Sequence, residues 1–370
     1  MSILRTLAVR SFLEPYLPLT RLRHRLKFKK PKIKLVAVAK NESRYLAEWI
    51  LHHLYFGIDH VEVHYNQCDD NTEALAEYLS KRYPVTFINA DKEFAPHLKS
   101  PQVAVYRSAL KSAYKTGYSH VLFLDVDEFL VPRNLQTSFQ DIVNDKLNFD
   151  VISANWCNKL YDTENFGRAL NSQLSIEISP TVKSMIRTFV NPLVMNPHNV
   201  ISKNIRYGMT GQASFESNRD DKSKVTDHLV RFEQADAFVL HRQYRSELEY
   251  VALLGRGRPI EAAKKDSIFK NNRRGYNVHG NKSSLFFDEK NFNRYSAYLD
   301  EHLNDKELFR LHEEAEQMVL NRYENVVDMV ANAPAGELKL LQRLLKNVEL
   351  NAVNEALMKM KSNKKENCDL

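Results

Sequence analysis

Three carboxylates lie within four positions, directly after an apolar run. Residues 121–124 (VLFL) are followed by Asp125, Asp127 and Glu128. Such a run is typical of a buried strand in a parallel sheet, and open α/β sheets bind ligands at the carboxyl ends of their strands. In an extended chain Asp125 and Asp127 point to one face, where their charges repel unless a cation lies between them. The spacing therefore predicts a Mg²⁺ or Mn²⁺ site for a phosphorylated ligand. The alternative is a solvated acidic turn, and the strand in front of it argues against that interpretation.

Strands and helices alternate over the first 130 residues. The predicted strands are 34–39, 60–65, 85–88 and the run that ends at Asp125. The helices between them carry apolar residues at helical spacing, which favours a mostly parallel sheet with right-handed crossovers. The polar turns after the first, second and fourth strands would then meet at the carboxyl edge of the sheet. We therefore predict an α/β fold with a ligand site at that edge.

Composition and charge indicate a folded globular protein with one unusually basic segment. The chain has 370 residues and a net charge of +7, and its three cysteines form no Cys-x-x-Cys pair. Residues 21–34 contain eight Lys or Arg and no acid, after an N-terminal stretch with apolar residues at helical spacing. Residues 1–34 are therefore expected either to contact an anionic membrane surface or to form a solvated basic arm. No nucleic-acid-binding signature accompanies this charge. We expect a cytoplasmic protein, peripheral on the inner face of a membrane.

Six segments occur in an order that resembles a known family. They are residues 38–42 (VAKNE), 46–57, 64–72, 125–130 (DVDEFL), 182–187 (VKSMIR) and 241–246 (HRQYRS). Together they resemble glycosyltransferases of the GT-A type, close to the family 2-like and family 92-like enzymes. The resemblance runs from about residue 33 to 258. The chain departs from the family pattern at Gln67, Cys68, Asn71 and Arg242.

The resemblance implies a GT-A type, Rossmann-like sheet flanked by helices, with a C-terminal helical extension. On this basis the chain divides into a basic amphipathic arm (1–32), a glycosyltransferase domain (33–280), a helical region (281–360) and a disordered tail (361–370). The implied activity is metal-dependent transfer of a hexosyl group from a nucleotide sugar, expected to be UDP-linked. The implied acceptor is a cell-surface glycan or a lipid-linked molecule, and inversion is expected by analogy.

The resemblance also assigns roles to individual residues. Candidate metal ligands are Asp125, Asp127 and His241, holding Mn²⁺ or Mg²⁺. Candidate donor-binding residues are Lys40, Asn41, Glu42, Asp70, Asp125, Lys183 and Arg187. Candidate catalytic residues are Asp127, Glu128 and Asp221, the last being one of several acids in a loop predicted to be mobile (207–227). Structural alternatives stay open for three of them: Asp70 as a turn former, Glu128 as a cap of the acidic turn, and His241 as an ordinary buried histidine.

Two other functions are compatible with a parallel sheet and an acidic site. A nucleotidyltransferase usually has a glycine-rich phosphate loop after its first strand, and here that turn (40–43, KNES) contains no glycine. A non-catalytic scaffold with a transferase fold, binding glycan or membrane, is the other alternative. The intact Asp125-x-Asp127 pair argues against it.

Overall fold

The structure is a computed structural model that describes residues 17–95, 100–162, 164–211, 214–215, 223–226, 230, 232–256 and 267–366. Within these residues the helices are α1 (Leu17–Lys27), α2 (Ser43–Tyr55), α3 (Thr72–Ser80), α4 (Pro101–Ala113), α5 (Phe139–Asp145), α6 (Glu247–Leu254), α7 (Glu289–Leu303), α8 (Lys306–Ala331), α9 (Leu338–Leu344) and α10 (Asn351–Glu366). The strands are β1 (Ile33–Ala39), β2 (His60–Tyr65), β3 (Val85–Asn89), β4 (His120–Phe123), β5 (Glu128–Pro132), β6 (Val151–Lys159), β7 (Gln173–Arg187), β8 (Val194–Met195), β9 (Val200–Ile201), β10 (Tyr207–Met209), β11 (Ser214–Phe215), β12 (Ala237–His241) and β13 (Ser283–Phe286).

One large sheet organises the described chain. Its strand order is β11-β10-β6-β7-β4-β1-β2-β3, with β12 paired to β5 and β6, and β13 paired to β7. The half from β3 to β4 is parallel throughout. Strand β7 runs antiparallel to both β4 and β6. The prediction of an α/β fold with a mostly parallel sheet flanked by helices is confirmed.

Apolar side chains cover both faces of this sheet. On β1, Leu35 and Ala37 pack into the larger cluster with helices α2, α3, α7 and α8, whereas Val36 joins α4 on the opposite face. This is the period of two that an extended strand imposes. Helices α6, α9 and α10 and the second half of α8 form a third apolar cluster. None of the described helices combines the length and apolar content needed to span a bilayer.

Helix α2 fixes the strand that follows the acidic turn. The indole Nε1 of Trp49 donates to the carbonyl oxygen of Glu128 at 2.7 Å. His52 Nε2 donates to the carbonyl oxygen of Leu130 at 2.8 Å, and the Leu130 amide donates to His53 Nε2 at 3.2 Å. All three side chains are buried, so these bonds are shielded from water. The acidic turn is therefore held rigidly from below.

Three details of the chain differ from the sequence expectation. The predicted helical region (281–360) is interrupted near its end, because Asn347 takes a left-handed conformation (φ 63°) between α9 and α10. Helix α10 continues to Glu366, into the tail predicted to be disordered. Parts of the predicted mobile loop 207–227 are strands β10 and β11, paired with each other. Sequence patterns alone do not reveal such pairings, since the strands have only two or three residues.

Candidate functional site

A cavity of about 770 Å³ opens at the carboxyl edge of the sheet. Its lining residues include Lys40 and Glu42 after β1, Asn66 after β2, and Asp125 and Asp127 after β4. Side chains from other segments complete the wall: Gln102, Trp156, His241, Arg256, Lys270 and Arg273. The prediction that the polar turns after strands 1, 2 and 4 share one edge is confirmed by this arrangement. The cavity therefore brings carboxylates and cations together where an α/β sheet binds its ligand.

Asp125 is already partnered inside the protein. Its Oδ2 lies 3.2 Å from Nζ of Lys183, and its Oδ1 accepts a hydrogen bond from Gln102 at 3.0 Å. Lys183 is buried, and its Nζ also lies 2.8 Å from Oε2 of Glu128. Burial works against the charge of Lys183, but the carboxylates of Asp125 and Glu128 outweigh it and raise its pKa. Lys183 thus acts as an internal counter-ion beneath the acidic turn.

Glu128 lies deeper than the two aspartates. Its Oε2 accepts the backbone amide of Asp125 at 2.8 Å, while its buried Oε1 has no hydrogen-bond partner. Burial raises the pKa of Glu128 to about 8; Lys183 opposes this rise, and Asp125 and Asp127 add to it. Asp125 and Glu128 share one buried ammonium, and Asp127 adds a third negative charge nearby, so the deepest of these carboxylates resists ionisation. This position suits support of the acidic turn better than direct contact with a substrate.

Asp127 faces His241, and a hydrogen bond to Asn158 fixes which ring nitrogen of this histidine carries a hydrogen. Nε2 of His241 lies 3.7 Å from Oδ2 of Asp127. The other ring nitrogen, Nδ1, lies 3.0 Å from Oδ1 of Asn158, whose amide nitrogen donates to Glu177 at 3.2 Å. Because the Asn158 oxygen can only accept, Nδ1 of His241 carries a hydrogen. A neutral ring therefore has a bare Nε2 toward Asp127, and a protonated ring has an N–H there. Burial opposes ionisation of Asp127, yet His241, Arg245 and Arg273 hold the pKa of Asp127 well below its usual range.

The Asp127–His241 pair fits a divalent cation in part. Its 3.7 Å separation is within the roughly 4 Å that two ligands about 2.1 Å from one ion can span. Across the described ranges no group of three or more His, Cys, Asp or Glu side chains is arranged to hold a metal. Mg²⁺ commonly uses one or two protein ligands and takes the rest from water and substrate phosphates. The residues present therefore suit a cation that arrives with a phosphorylated ligand.

Three cations face the carboxylates across the cavity. They are Arg256, Lys270 and Arg273, all in its lining. Burial, followed by the charges of Arg256 and Arg273, keeps the pKa of Lys270 well below its ordinary value. Burial also lowers the pKa of Arg273, and its Nε has no hydrogen-bond partner. Cations crowded in this way repel each other until an anion enters, so the cavity is built to receive a polyanion.

Glu42, in the turn after β1, pairs with two arginines at the cavity. Glu42 is buried, with Oε2 lying 2.8 Å from Arg245 and Oε1 in contact with Arg256. Burial opposes its charge, but the two arginines lower the pKa of Glu42. Lys40 lines the cavity and donates to Gln67 at 3.4 Å. The side chain of Asn41 instead accepts the Asp69 amide, which shapes the turn itself.

Four predicted donor-binding residues do not line this cavity: Asn41 and Lys183, whose contacts are given above, and Asp70 and Arg187. Asp70 accepts hydrogen bonds from the amides of Ser43 and Thr72, so it ties together the starts of α2 and α3. Arg187 pairs in register with His120, at the start of β4. Its guanidinium donates to two backbone carbonyls at the amino edge of the sheet, opposite the cavity. Asp221, a candidate catalytic residue, lies outside the described residues.

Sequence reasoning did not find four residues of the cavity: Gln102, Trp156, Lys270 and Arg273. Trp156 contacts His241, with ring centroids 4.1 Å apart and planes tilted by 38°, and its buried Nε1 has no hydrogen-bond partner among the described residues. Lys270 and Arg273 belong to a short basic segment (270–274, KNNRR) after the last matched motif. That cluster of five basic or amide side chains was a usable signal, but nothing in the adjacent sequence placed it near Asp127.

Comparisons with known proteins agree with the motif resemblance. A glycosyltransferase family 92 protein of rice (Oryza sativa subsp. japonica) is 31% identical over 105 residues, which are 28% of this chain and only 17% of the rice protein. Two crystal structures of S. aureus TarS 1-349, one in complex with UDP, align over 90% of this chain and 88% of theirs at 12% identity, with TM-scores of 0.28 and 0.30. The sequence model of glycosyltransferase family 92 matches residues 36–319, past the predicted domain end at 280 and through the first half of α8. Since that match spans most of the chain, this protein belongs to glycosyltransferase family 92.

Proposed function

We propose that this chain transfers a sugar from a nucleoside-diphosphate sugar to a hydroxyl group of a glycan or a lipid-linked acceptor. The observation that carries the proposal is one cavity in which Asp127 and His241 face Arg256, Lys270 and Arg273. A diphosphate fits this arrangement, because the cations match its charge and a divalent ion at Asp127 would bridge its oxygens. Membership of family 92 supports transfer of a sugar as the reaction.

The donor is oriented by the same residues. Its diphosphate would lie between Asp127 and the three cations, and its nucleoside would extend toward Lys40 and Asn66 at the ends of β1 and β2. Uracil is the base we expect. In this pose the bond between the sugar and the diphosphate lies over the acidic turn, which Lys183 and Glu128 stabilise from below.

The reaction requires charge stabilisation at the leaving group and proton removal at the acceptor. As the bond between the anomeric carbon and the phosphate oxygen breaks, its electron pair stays on the diphosphate. A bound Mn²⁺ or Mg²⁺ would supply Lewis-acid stabilisation of that charge. Arg256, Lys270 and Arg273 stabilise the same charge by direct electrostatic contact. With inversion, a carboxylate base takes the proton of the attacking hydroxyl; Asp221 is our sequence-based candidate.

The decisive experiment measures hydrolysis of a panel of UDP-, GDP- and CMP-sugars with Mn²⁺, with Mg²⁺ and with chelator. The native chain and Asp127→Asn are compared, with Asp145→Asn, an exposed aspartate at the end of α5, as the matched control. We expect metal-dependent release of the nucleotide from one donor class by the native and control proteins, and loss of about a hundredfold or more in Asp127→Asn. In a parallel assay with nucleoside triphosphates and sugar 1-phosphates, release of pyrophosphate would indicate a nucleotidyltransferase instead. Failure to bind any donor, with the fold intact, would overturn the proposal.

A further inference from the structure

Helix α1 presents its apolar residues to solvent and its polar residues to the protein. Leu19, Leu22 and Leu26 are 49%, 52% and 66% exposed. Their spacing of three and four residues puts them on one helix face. The opposite face carries His24, which is buried. A helix that covers a protein core turns its apolar residues toward that core. Because the leucines of α1 face outward instead, they are available to a surface other than the protein core.

Polar contacts hold this helix firmly in place. Arg21 forms a two-pronged ion pair with Asp150, at 2.5 and 3.0 Å. His24 Nε2 donates to the carbonyl oxygen of Ser119 at 3.1 Å. Arg25 donates to the carbonyl oxygen of Leu147 at 2.6 Å. Because these contacts fix the rotation of α1, the outward direction of the leucines is a property of the fold and not of a loose arm.

Cations surround the leucine face. On α1 and just after it, Arg23, Lys27, Lys29 and Lys30 are exposed. A cleft of about 690 Å³ lies between α1, α4 and residues 188–192. Its described lining includes four cations and no Asp or Glu: Arg23, Arg107, Lys111 and Lys115. A row of leucines beside a cluster of cations matches an anionic bilayer, whose phosphates meet the cations while its upper acyl region takes the leucines.

We infer that α1 docks the protein on an anionic phospholipid surface, with Leu19, Leu22 and Leu26 in the bilayer interface and the cleft holding a lipid phosphate. A polyanion such as nucleic acid would use the charges but would leave three leucines in water. The helix contacts residues that precede β4 and β6, such as Ser119 and Asp150, whereas Asp125 follows β4. The lipid surface and the catalytic cavity therefore lie at opposite edges of the sheet, and each can be altered without the other.

The test is flotation of the full chain with vesicles of phosphatidylcholine alone or mixed with phosphatidylglycerol. One variant replaces the three leucines (L19S, L22S and L26S), and another reverses three charges (R23E, K111E and K115E). Matched controls are Phe309→Ser, an exposed apolar residue of α8, and a triple reversal of remote exposed lysines (K306E, K339E and K359E). Thermal unfolding and nucleotide-sugar hydrolysis should remain native in all variants, because none of these residues lines the cavity.

We expect the native chain and both controls to bind only the anionic vesicles. The leucine variant should bind roughly tenfold more weakly or worse, and the charge variant about a hundredfold more weakly, since each basic residue contributes roughly fivefold near such a surface. No binding by the native chain, or native binding by the leucine variant, would overturn the inference. If only the charge variant loses binding, the surface recognises polyanions by charge alone, which also contradicts it.

Discussion

The ammonium group of Lys183 lies 3.2 Å from Oδ2 of Asp125, in the interior beneath the acidic turn. The same ammonium lies 2.8 Å from Glu128. One of the two aspartates of the Asp-x-Asp pair is thus balanced by the protein itself. The other, Asp127, faces the cavity and His241. Two carboxylates so close in sequence therefore have different partners: Asp125 is held by Lys183 and Gln102, and Asp127 faces His241.

Replacing Lys183 should therefore destabilise the fold. Lys183→Met leaves Asp125 and Glu128 without their cation, which should cost about 3–5 kcal/mol of unfolding free energy. Adding Glu128→Gln should restore part of that loss, because the pair of carboxyl groups left without a cation is then reduced to Asp125 alone. Urea denaturation of the two single variants and the double variant measures the coupling. Lys306→Met, at an exposed position, is the control; strictly additive single effects would contradict the pairing.

The Asn158 side chain should control metal affinity through His241. With Asn158→Ala, Nδ1 of His241 loses its acceptor and the ring no longer holds the tautomer with a bare Nε2 toward Asp127. We expect Mn²⁺ affinity in the presence of UDP to fall about 10–100-fold. Electron paramagnetic resonance of free Mn²⁺ measures it. Asn155→Ala on the same strand is the control, and an unchanged affinity in Asn158→Ala would exclude His241 as a ligand held in this way.

Local sequence features predicted the edge of the site well. Strands β1 and β2 and the apolar run before Asp125 are short segments whose burial and polar turns depend on adjacent residues. Strand β5 was not predicted, although Glu128 to Pro132 is buried. Its hydrogen-bond partners are α2, more than 70 residues earlier, and β12, more than 100 residues later. No short stretch of the sequence contains β5 together with both of these partners.

Contacts between distant parts of the chain also explain two differences from the sequence analysis. Arg187 lies outside the cavity although it was a candidate donor-binding residue, and Lys270 and Arg273 line the cavity although they were not predicted. Lys183 and Arg187 are four residues apart on one strand, about 13 Å, so only one of them can lie beneath the acidic turn. Because β7 runs antiparallel to β4, that residue is Lys183. Lys270 and Arg273 lie in irregular chain after a helix. Their positions depend on how that segment folds back over β12, which composition does not reveal.

Arg273 should contribute directly to donor affinity. Its half-buried guanidinium lines the cavity near Asp127, and its Nε has no partner within the described protein. A charge-assisted hydrogen bond to phosphate is worth about 1.5–3 kcal/mol, so Arg273→Ala should weaken UDP binding by roughly 10–150-fold. Arg274→Ala changes the exposed neighbour and is the matched control. Titration calorimetry at two salt concentrations measures both variants; equal affinities would remove Arg273 from the phosphate site.

The packing of helix α1 against the rest of the protein should weaken in mild acid because His24 is buried in that contact. Burial, together with the charge of Arg187, lowers the pKa of His24 to about 4, whereas a solvated histidine has a pKa of about 6.5. Asp150 opposes this shift and Lys27 adds to it. The helix therefore binds fewer protons when it is packed on the protein than when it is detached. Its packing is strongest above about pH 6.5 and is lost progressively as the pH falls toward 4.

Hydrogen exchange of the α1 amides, corrected for the intrinsic rate, measures this loss. Protection of residues 17–27 should fall between pH 7 and pH 5, while that of β1 stays constant. His24→Gln does not titrate but keeps an N–H that can donate to the Ser119 carbonyl, so its α1 protection should not depend on pH. If the native protein and His24→Gln lose protection equally, another group controls the helix. If neither protein loses protection of α1, protonation of His24 does not weaken the packing of α1 on the protein.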